Sequence, residues 1–359
     1  MNIHHLAKNS ILQLTPYQSA RKLKHSGHIW LNANEYPETP HYKFRYKNIN
    51  RYPMCQPQQI INNYANYAGV KPNQILVSRG SDESIELLMK VFCNPNKDVI
   101  MFCPPTYGMY KVSAEILGIH YRIIPTKKNW QLDLPAIKTQ LRNVKLIYIC
   151  NPNNPTGNII HFNSLKKLLK IIKNQALLIS DEAYIDFCPH ASLSQWLSKY
   201  PNLVILRTLS KAFALAGIRC GFTLANSDII KLLSKVIAPY PIPSPVIDIA
   251  EQALNPKNIQ HIKTRINKIH INRNILIQGL KKCPCVQQIF PSKTNYILVR
   301  FNPKYQVFKK LLKHGIVLRD QRYQPGLKNC LRITIGSYNE CQQMLTVLKN
   351  TTLSVPHFI

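Results

Sequence analysis

Between about residues 70 and 230, short apolar runs alternate with segments patterned like helices. The runs lie at 75–78, 98–103, 121–126, 145–151, 176–181, 203–208 and 220–224. Each is apolar at nearly every position, as strands covered on both faces are, and helical segments separate them. The pattern predicts an α/β fold with a mostly parallel central sheet and helices on both faces. In such sheets ligands bind beyond the carboxyl ends of the strands. Three polar residues arrive at that edge: Asn154 after the 145–151 run, Asp181 at the end of 176–181 and Lys211 after 203–208.

Past about residue 240 the pattern changes. "YPIPSPV" reads as a linker or an ordered loop, and a long basic helical stretch follows at about 246–281. Runs at 295–301, 315–320 and 331–335 predict the strands of a smaller α+β domain.

With 359 residues, 45% of them hydrophobic, the chain can bury enough core for two domains. The polar N-terminus lacks the apolar core of a secretory signal and no run approaches a membrane span, so a cytoplasmic protein is expected. The ten cysteines stand singly except for Cys283-Pro-Cys285, which has no second pair at metal-ligand spacing. They read as free thiols, and no metal site is expected. The net charge of +31 raises the question of a nucleic-acid partner. Its basic residues are spread along the whole chain, however, often at helical spacing as in 166–173, which reads as solvated surface. No nucleic-acid or membrane partner is expected; a polyanionic small molecule stays open.

In "TLSKAFALAGIR" (208–219), Lys211 precedes small and apolar residues and stands eight positions before Arg219. An amine that must form an imine has to be uncharged for part of its life, and a desolvated or cation-rich pocket lowers its pKa. The alternative is a lysine lying along a helix surface. Asp181 closes a buried strand, where an isolated carboxylate is costly unless a cation meets it; a helix-capping aspartate is the plainer reading. Gly80-Ser81-Asp82-Glu83 joins a strand to a helix opening at "ESIELL". The amides of Ser81 and Asp82 would suit a phosphate there, with a simple helix cap as the alternative. Arg332, in the strand-like "CLRITIG", calls for an anion, and its planar fork fits a carboxylate or a phosphate.

In order, "VSRGSDESIELL", "PPTYGMY", "NPNNPTG", "SDEAYIDF", "TLSKAFALAGIRCG" and "LRITIG" resemble the signature segments of pyridoxal-phosphate aminotransferases of the aspartate aminotransferase fold, the type I fold of such enzymes. "LTPYQSARKL", "LNANEYP", "RYP", "LRDQ" and "CLRITIG" narrow the resemblance to the histidinol-phosphate aminotransferase family, over about residues 14–336. The resemblance implies a pyridoxal 5'-phosphate cofactor bound covalently to Lys211, with Asp181 on its ring nitrogen and Tyr184 and Asn154 on its phenolic oxygen. It makes Lys211, Asp181 and Tyr184 the catalytic set. Tyr107 would stack on the ring, and Thr208, Ser210 and Arg219 would complete the phosphate cup with the amides of Ser81 and Asp82. Tyr52 would reach the cofactor phosphate of a neighbouring subunit, which implies a homodimer with shared active sites. Arg332 would receive the anionic end of the substrate, with Tyr17, Asn34 and Arg319 as further contacts.

The implied domains are an arm (1–25), a large cofactor-binding domain (42–249) and a small domain made of 26–41 with 250–359. The implied reaction moves an amino group between L-histidinol phosphate and 2-oxoglutarate, giving imidazole acetol phosphate and L-glutamate, in histidine biosynthesis. Rival enzymes of the same fold, such as a threonine-phosphate decarboxylase or an aromatic aminotransferase, would share Lys211, Asp181 and Arg219. A DNA-binding regulator of this fold would carry a separate module ahead of the core; here about forty residues precede it, and they match the family's own arm. Arg322, Lys328 and His4-His5 receive no role.

Overall fold

The computed structural model describes residues 3–21, 26–45 and 49–350. Its strands are β1 (Ile29–Trp30), β2 (Ile75–Ser78), β3 (Val99–Phe102), β4 (His120–Ile123), β5 (Val144–Cys150), β6 (Leu177–Asp181), β7 (Leu203–Thr208), β8 (Gly221–Ala225), β9 (Val286–Ile289), β10 (Tyr296–Phe301), β11 (Ile316–Val317), β12 (Arg319–Asp320) and β13 (Cys330–Thr334). Strands β2 to β8 form one sheet in the order β2-β8-β7-β6-β5-β3-β4. Only β8 runs against its neighbours, β2 and β7; the other pairs are parallel.

Alternate residues of these strands enter two separate apolar cores, because successive side chains of a strand point to opposite faces. Leu76, Ile100, Leu146, Ile179 and Val204 pack on one face, under the helices Ser81–Phe92, Met109–Leu117 and Ser227–Ser234. Val77, Met101, Ile147, Leu178 and Ile205 pack on the other, under Gln58–Ala68, Phe162–Ile171 and Ser244–Ala253. Burial on both sides is why the runs read as continuous rather than alternating. On the helix Phe162–Ile171, Leu165, Leu168 and Leu169 are buried while Lys166, Lys167 and Lys170 are exposed, so these charges are solvated surface.

Four expectations need correction. The basic stretch 246–281 is two helices, Ser244–Ala253 and Pro256–Lys281. Pro256 ends the first because it has no N–H to offer, and it suits the first turn of the second, which the Asn255 side chain caps through the Lys257 amide. "YPIPSPV" is not a linker throughout, since a helix opens at Ser244. The helix after Gly80 starts at Ser81, two residues before "ESIELL". The 315–320 run divides into β11, which pairs in parallel with β1, and β12, which pairs antiparallel with β13.

The remaining sheet has the order β12-β13-β10-β9. Its register sets Arg319 directly opposite Arg332. No helix among the described residues is long and apolar enough to cross a membrane.

Candidate active site

The carboxyl ends of β5, β6 and β7 face a cleft of ≈ 1110 Å³ lined by Cys150, Asn154, Asp181, Tyr184, Thr208 and Lys211. Across it stand Arg319 and Arg332 of the small sheet, and Tyr17 and Asn34 from the N-terminal segments. Every sequence-predicted site residue except Tyr52 lines this one cleft.

Lys211 lies three residues past β7, and its Nζ donates to the Ala33 carbonyl at 3.0 Å. Burial, followed by the Arg332 charge, lowers its pKa from 10.5 to about 8. A tenth or so of such an amine is neutral at pH 7, against well under a thousandth for an ordinary lysine. Lys211 Nζ stands 5.9 Å from the centroid of the Tyr184 ring.

Asp181, the last residue of β6, is buried. Its Oδ2 accepts from the Tyr110 hydroxyl at 2.7 Å and its Oδ1 from the Ala183 amide at 3.2 Å. Burial raises its pKa from 3.8 to about 6, although both hydrogen bonds pull the other way. Among the described residues no Lys or Arg forms an ion pair with Asp181, so the carboxylate stands ready for a cation from outside the chain.

The Tyr184 hydroxyl accepts from Asn34 Nδ2 at 2.9 Å and lies 3.4 Å from Asn154 Nδ2. Arg332 Nη1 donates to Asn154 Oδ1 at 2.6 Å, which turns the amide so that its NH2 faces Tyr184; Nη2 donates to the Asn32 carbonyl at 2.7 Å. Asn154 belongs to a loop whose other asparagines serve the fold: Asn151 Oδ1 accepts from the Ile160 amide, and Asn153 Nδ2 donates to the Pro105 carbonyl. Arg319 Nη2 donates to the Gln18 carbonyl at 2.6 Å. Arg332 Nε, Arg319 Nη1 and Asn32 Oδ1, all buried, have no hydrogen-bond partner among the described residues.

At the other end, the helix Ser81–Phe92 points its N-terminus into the cleft, and its N-cap Gly80 has no side chain to cap the first amides. Gly80 has φ 77°, and a Cβ there would come within 2.5 Å of the Arg219 guanidinium. A Cβ on Gly221 would meet the backbone of Gly80 and Ser81 at 2.5 Å. Arg219 Nη1 reaches Ser210 Oγ at 3.3 Å, and Thr208 Oγ1 donates to Ser210 Oγ at 2.9 Å. Helix amides, two hydroxyls and a guanidinium on one corner are the donor set of a phosphate site. The Asp82 carboxylate accepts from the Tyr107 hydroxyl at 3.0 Å and pairs with Arg219 at 3.4 Å, so it borders that corner. Asn34 and Arg219 hold positive φ at the cleft, local strain of the kind that gathers at functional sites.

Tyr52 is 80% exposed, stacks on Tyr240 at 4.3 Å and is absent from the cleft wall. Arg322 is engaged by Asp320 at 2.6 Å and does not line the cleft. Sequence reasoning missed Tyr110, Asn32 and Gln324, whose Oε1 accepts from the Thr106 amide at 3.1 Å. Tyr110 carried one signal, its place in "PPTYGMY" just after Tyr107, in the first turn of the helix Met109–Leu117.

Residues 26–348 match the family described as aminotransferase class I and II. The histidinol-phosphate aminotransferase of Blochmanniella pennsylvanica is 75% identical over 349 residues, 97% of this chain and 98% of that one. The structure of histidinol-phosphate aminotransferase from Sinorhizobium meliloti in complex with pyridoxal-5'-phosphate superposes with a TM-score of 0.82 at 19% identity, over 97% of this chain and 98% of that one. That of L-threonine-O-3-phosphate decarboxylase from Porphyromonas gingivalis gives 0.76, also at 19% identity, over 91% of this chain and 100% of that one. Two chemistries thus share the fold, and the closer sequence relationship decides between them. The chain belongs to the class I and II aminotransferases and, within them, to the histidinol-phosphate aminotransferase family. It is a transaminase.

Proposed function

We propose that this enzyme moves the amino group of L-histidinol phosphate to 2-oxoglutarate, giving imidazole acetol phosphate and L-glutamate, as a step of histidine biosynthesis in the cytoplasm. The observation that carries the substrate reading is the register of β12 and β13. Like charges directly opposite each other on neighbouring strands repel. Yet Arg319 and Arg332 face each other there, 8% and 7% exposed, and both line the cleft. An anion beside the pair would offset that repulsion, and guanidinium forks donate to the phosphate of one substrate and to the carboxylates of the next.

The cofactor is pyridoxal 5'-phosphate, which when bound draws off the electron pair left at the substrate's α-carbon as its proton departs. The donor set at the helix N-terminus fits its phosphate: the amides of Ser81 and Asp82, the hydroxyls of Thr208 and Ser210, and Arg219. Asp181 would meet the ring nitrogen, whose positive charge offsets the cost of the buried carboxylate. Tyr107 would cover the ring, and Asn154 and Tyr184 would donate to its phenolic oxygen. Lys211 would hold the cofactor covalently and then, released, move the substrate's α-proton with Nζ. Tyr17 and Asn34 would complete the substrate pocket. The sheet of β2 to β8 supports a large domain at 42–249, and the β1–β11 pairing supports a small domain of 26–41 with 250–359, with 1–25 as an arm. Tyr52, remote from its own cleft, suits a role in the cleft of a second subunit and hence a homodimer.

The test is to add L-histidinol phosphate to the loaded enzyme without keto acid and follow the cofactor's visible absorption. Stoichiometric loss, restored by 2-oxoglutarate, is expected. A response to threonine phosphate or an aromatic amino acid instead would overturn the substrate. Lys211→Ala should lower turnover by at least about four orders of magnitude, and an active variant would refute its role.

A further inference from the structure

We propose that Tyr110 is the positioning residue for Asp181: its hydroxyl fixes the orientation of the carboxylate and keeps it ionised to meet the cofactor's ring nitrogen. This rests on the reading of Asp181 given above. Tyr110 lies on the helix Met109–Leu117, is 0% exposed, and donates at 2.7 Å to Oδ2. Its ring is locked on three sides, stacked on Tyr148 at 4.9 Å, edge-on to Tyr107 at 5.7 Å and tilted against Phe102 at 6.3 Å. A ring so held has little freedom to point its hydroxyl elsewhere. With the Ala183 amide on Oδ1, the carboxylate is gripped by one donor on each oxygen, which sets its plane.

The electrostatic part follows from what surrounds Asp181. The strongest influences on it come from Tyr110 on the helix, with Tyr148 and Cys150 of β5, Glu182 and Tyr184 past β6, and Asp82 from the helix Ser81–Phe92 also nearby, while the cations Lys211 and Arg332 line the same cleft without pairing with it. Burial pushes the carboxyl up to about 6, and the largest opposing influence is the Tyr110 hydrogen bond. Burial raises the Tyr110 hydroxyl well above 10, so it stays a donor at any working pH. Without that donor the carboxyl would rise further and be protonated over more of the range below neutral pH, and a protonated carboxyl attracts a ring N–H+ far less.

The experiment measures cofactor affinity of the full chain between pH 5 and 9 by equilibrium dialysis with pyridoxal phosphate, for the wild type, Tyr110→Phe and Asp181→Asn. Ionisations of the cofactor itself are common to all three and cancel in the comparison. For Tyr110→Phe the acid limb of affinity should move up by about one pH unit, with a loss of about tenfold near pH 5 that shrinks to about twofold near pH 7 and vanishes toward pH 9. A tyrosine that served packing alone would lower affinity equally at every pH, and that result, or an unchanged profile, overturns the proposal. For Asp181→Asn the limb attributable to the carboxylate should disappear. If it stays as in the wild type, the reading of Asp181 itself fails; if it disappears while Tyr110→Phe behaves as wild type, only the role of Tyr110 fails. Tyr110→4-aminophenylalanine keeps a ring and a donor at the same place, and should restore the wild-type limb. Should Tyr110→Phe not fold, the 4-amino variant decides alone, and a displaced limb there counts against the proposal.

Discussion

Two groups of buried charge lie on opposite sides of β6. On one side Asp181 faces the cleft with two hydrogen bonds from neutral donors and no cation. On the other, the very next residue, Glu182, accepts from Arg207 Nε at 2.9 Å and from the Leu193 amide at 2.8 Å, and lies 2.8 Å from Arg207 Nη2. Arg207 in turn donates to Ser192 at 2.8 Å and stands 4.0 Å from Asp186, which accepts from the Tyr67 hydroxyl at 2.7 Å. The Glu182 side is complete within the chain. The Asp181 side, with Lys211, Arg319 and Arg332 across the cleft, is not. Buried charges matched inside the protein hold the fold together, whereas those left unmatched mark where a charged ligand is required.

Substitutions should separate the two groups. The largest effect on stability is expected from Arg207→Met, which strands Glu182 and Asp186 without a cation. A loss of about 3–5 kcal/mol should follow, read by chemical denaturation of the cofactor-free protein. A loss below about 1 kcal/mol would erase the distinction.

Arg332→Met should do the reverse. With no carboxylate partner to strand, the cofactor-free protein should keep its stability to within about 1 kcal/mol, while kcat/KM for the phosphorylated substrate falls by about a hundredfold or more. Equal activity in steady-state assays would remove Arg332 from substrate binding.

Asp181→Asn should change stability in the direction opposite to Arg207→Met, and by less. The folded carboxyl is raised from 3.8 to about 6, so its ionised form is disfavoured by folding. That cost is fully present above pH 6 and vanishes below about pH 4, and the gap corresponds to at most about 3 kcal/mol. The cofactor-free variant should therefore be more stable than wild type at pH 7 and equal to it near pH 4. Thermal melting at both values checks this; a gain that persists unchanged at low pH would show that ionisation is not its source.

How much was legible beforehand follows the same line. Lys211, Asp181 and Asn154 were visible because strand ends in a parallel sheet share one edge, so sequence order alone brings them together. Arg332 was visible because an arginine amid apolar residues demands an anion. Tyr110 was not, since a tyrosine in an apolar helix reads as core, and only packing reveals that its hydroxyl meets a carboxylate. The break of 246–281 at Pro256 was legible in principle but was outweighed by the basic periodicity on either side.

The chain's periodicity by itself determined the layered α/β architecture, because two-sided burial demands uninterrupted apolar strands, and its ordered motifs identified the kind of site. Tertiary structure alone decided which charges are matched. Glu182 and Asp181 are adjacent in the chain and equally acidic, but the alternation of a strand sends one toward Arg207 and the other toward an open cleft. It also decided that Arg319 and Arg332 stand face to face, since strand register depends on the division of 315–320 between two sheets and no local property of those residues encodes it.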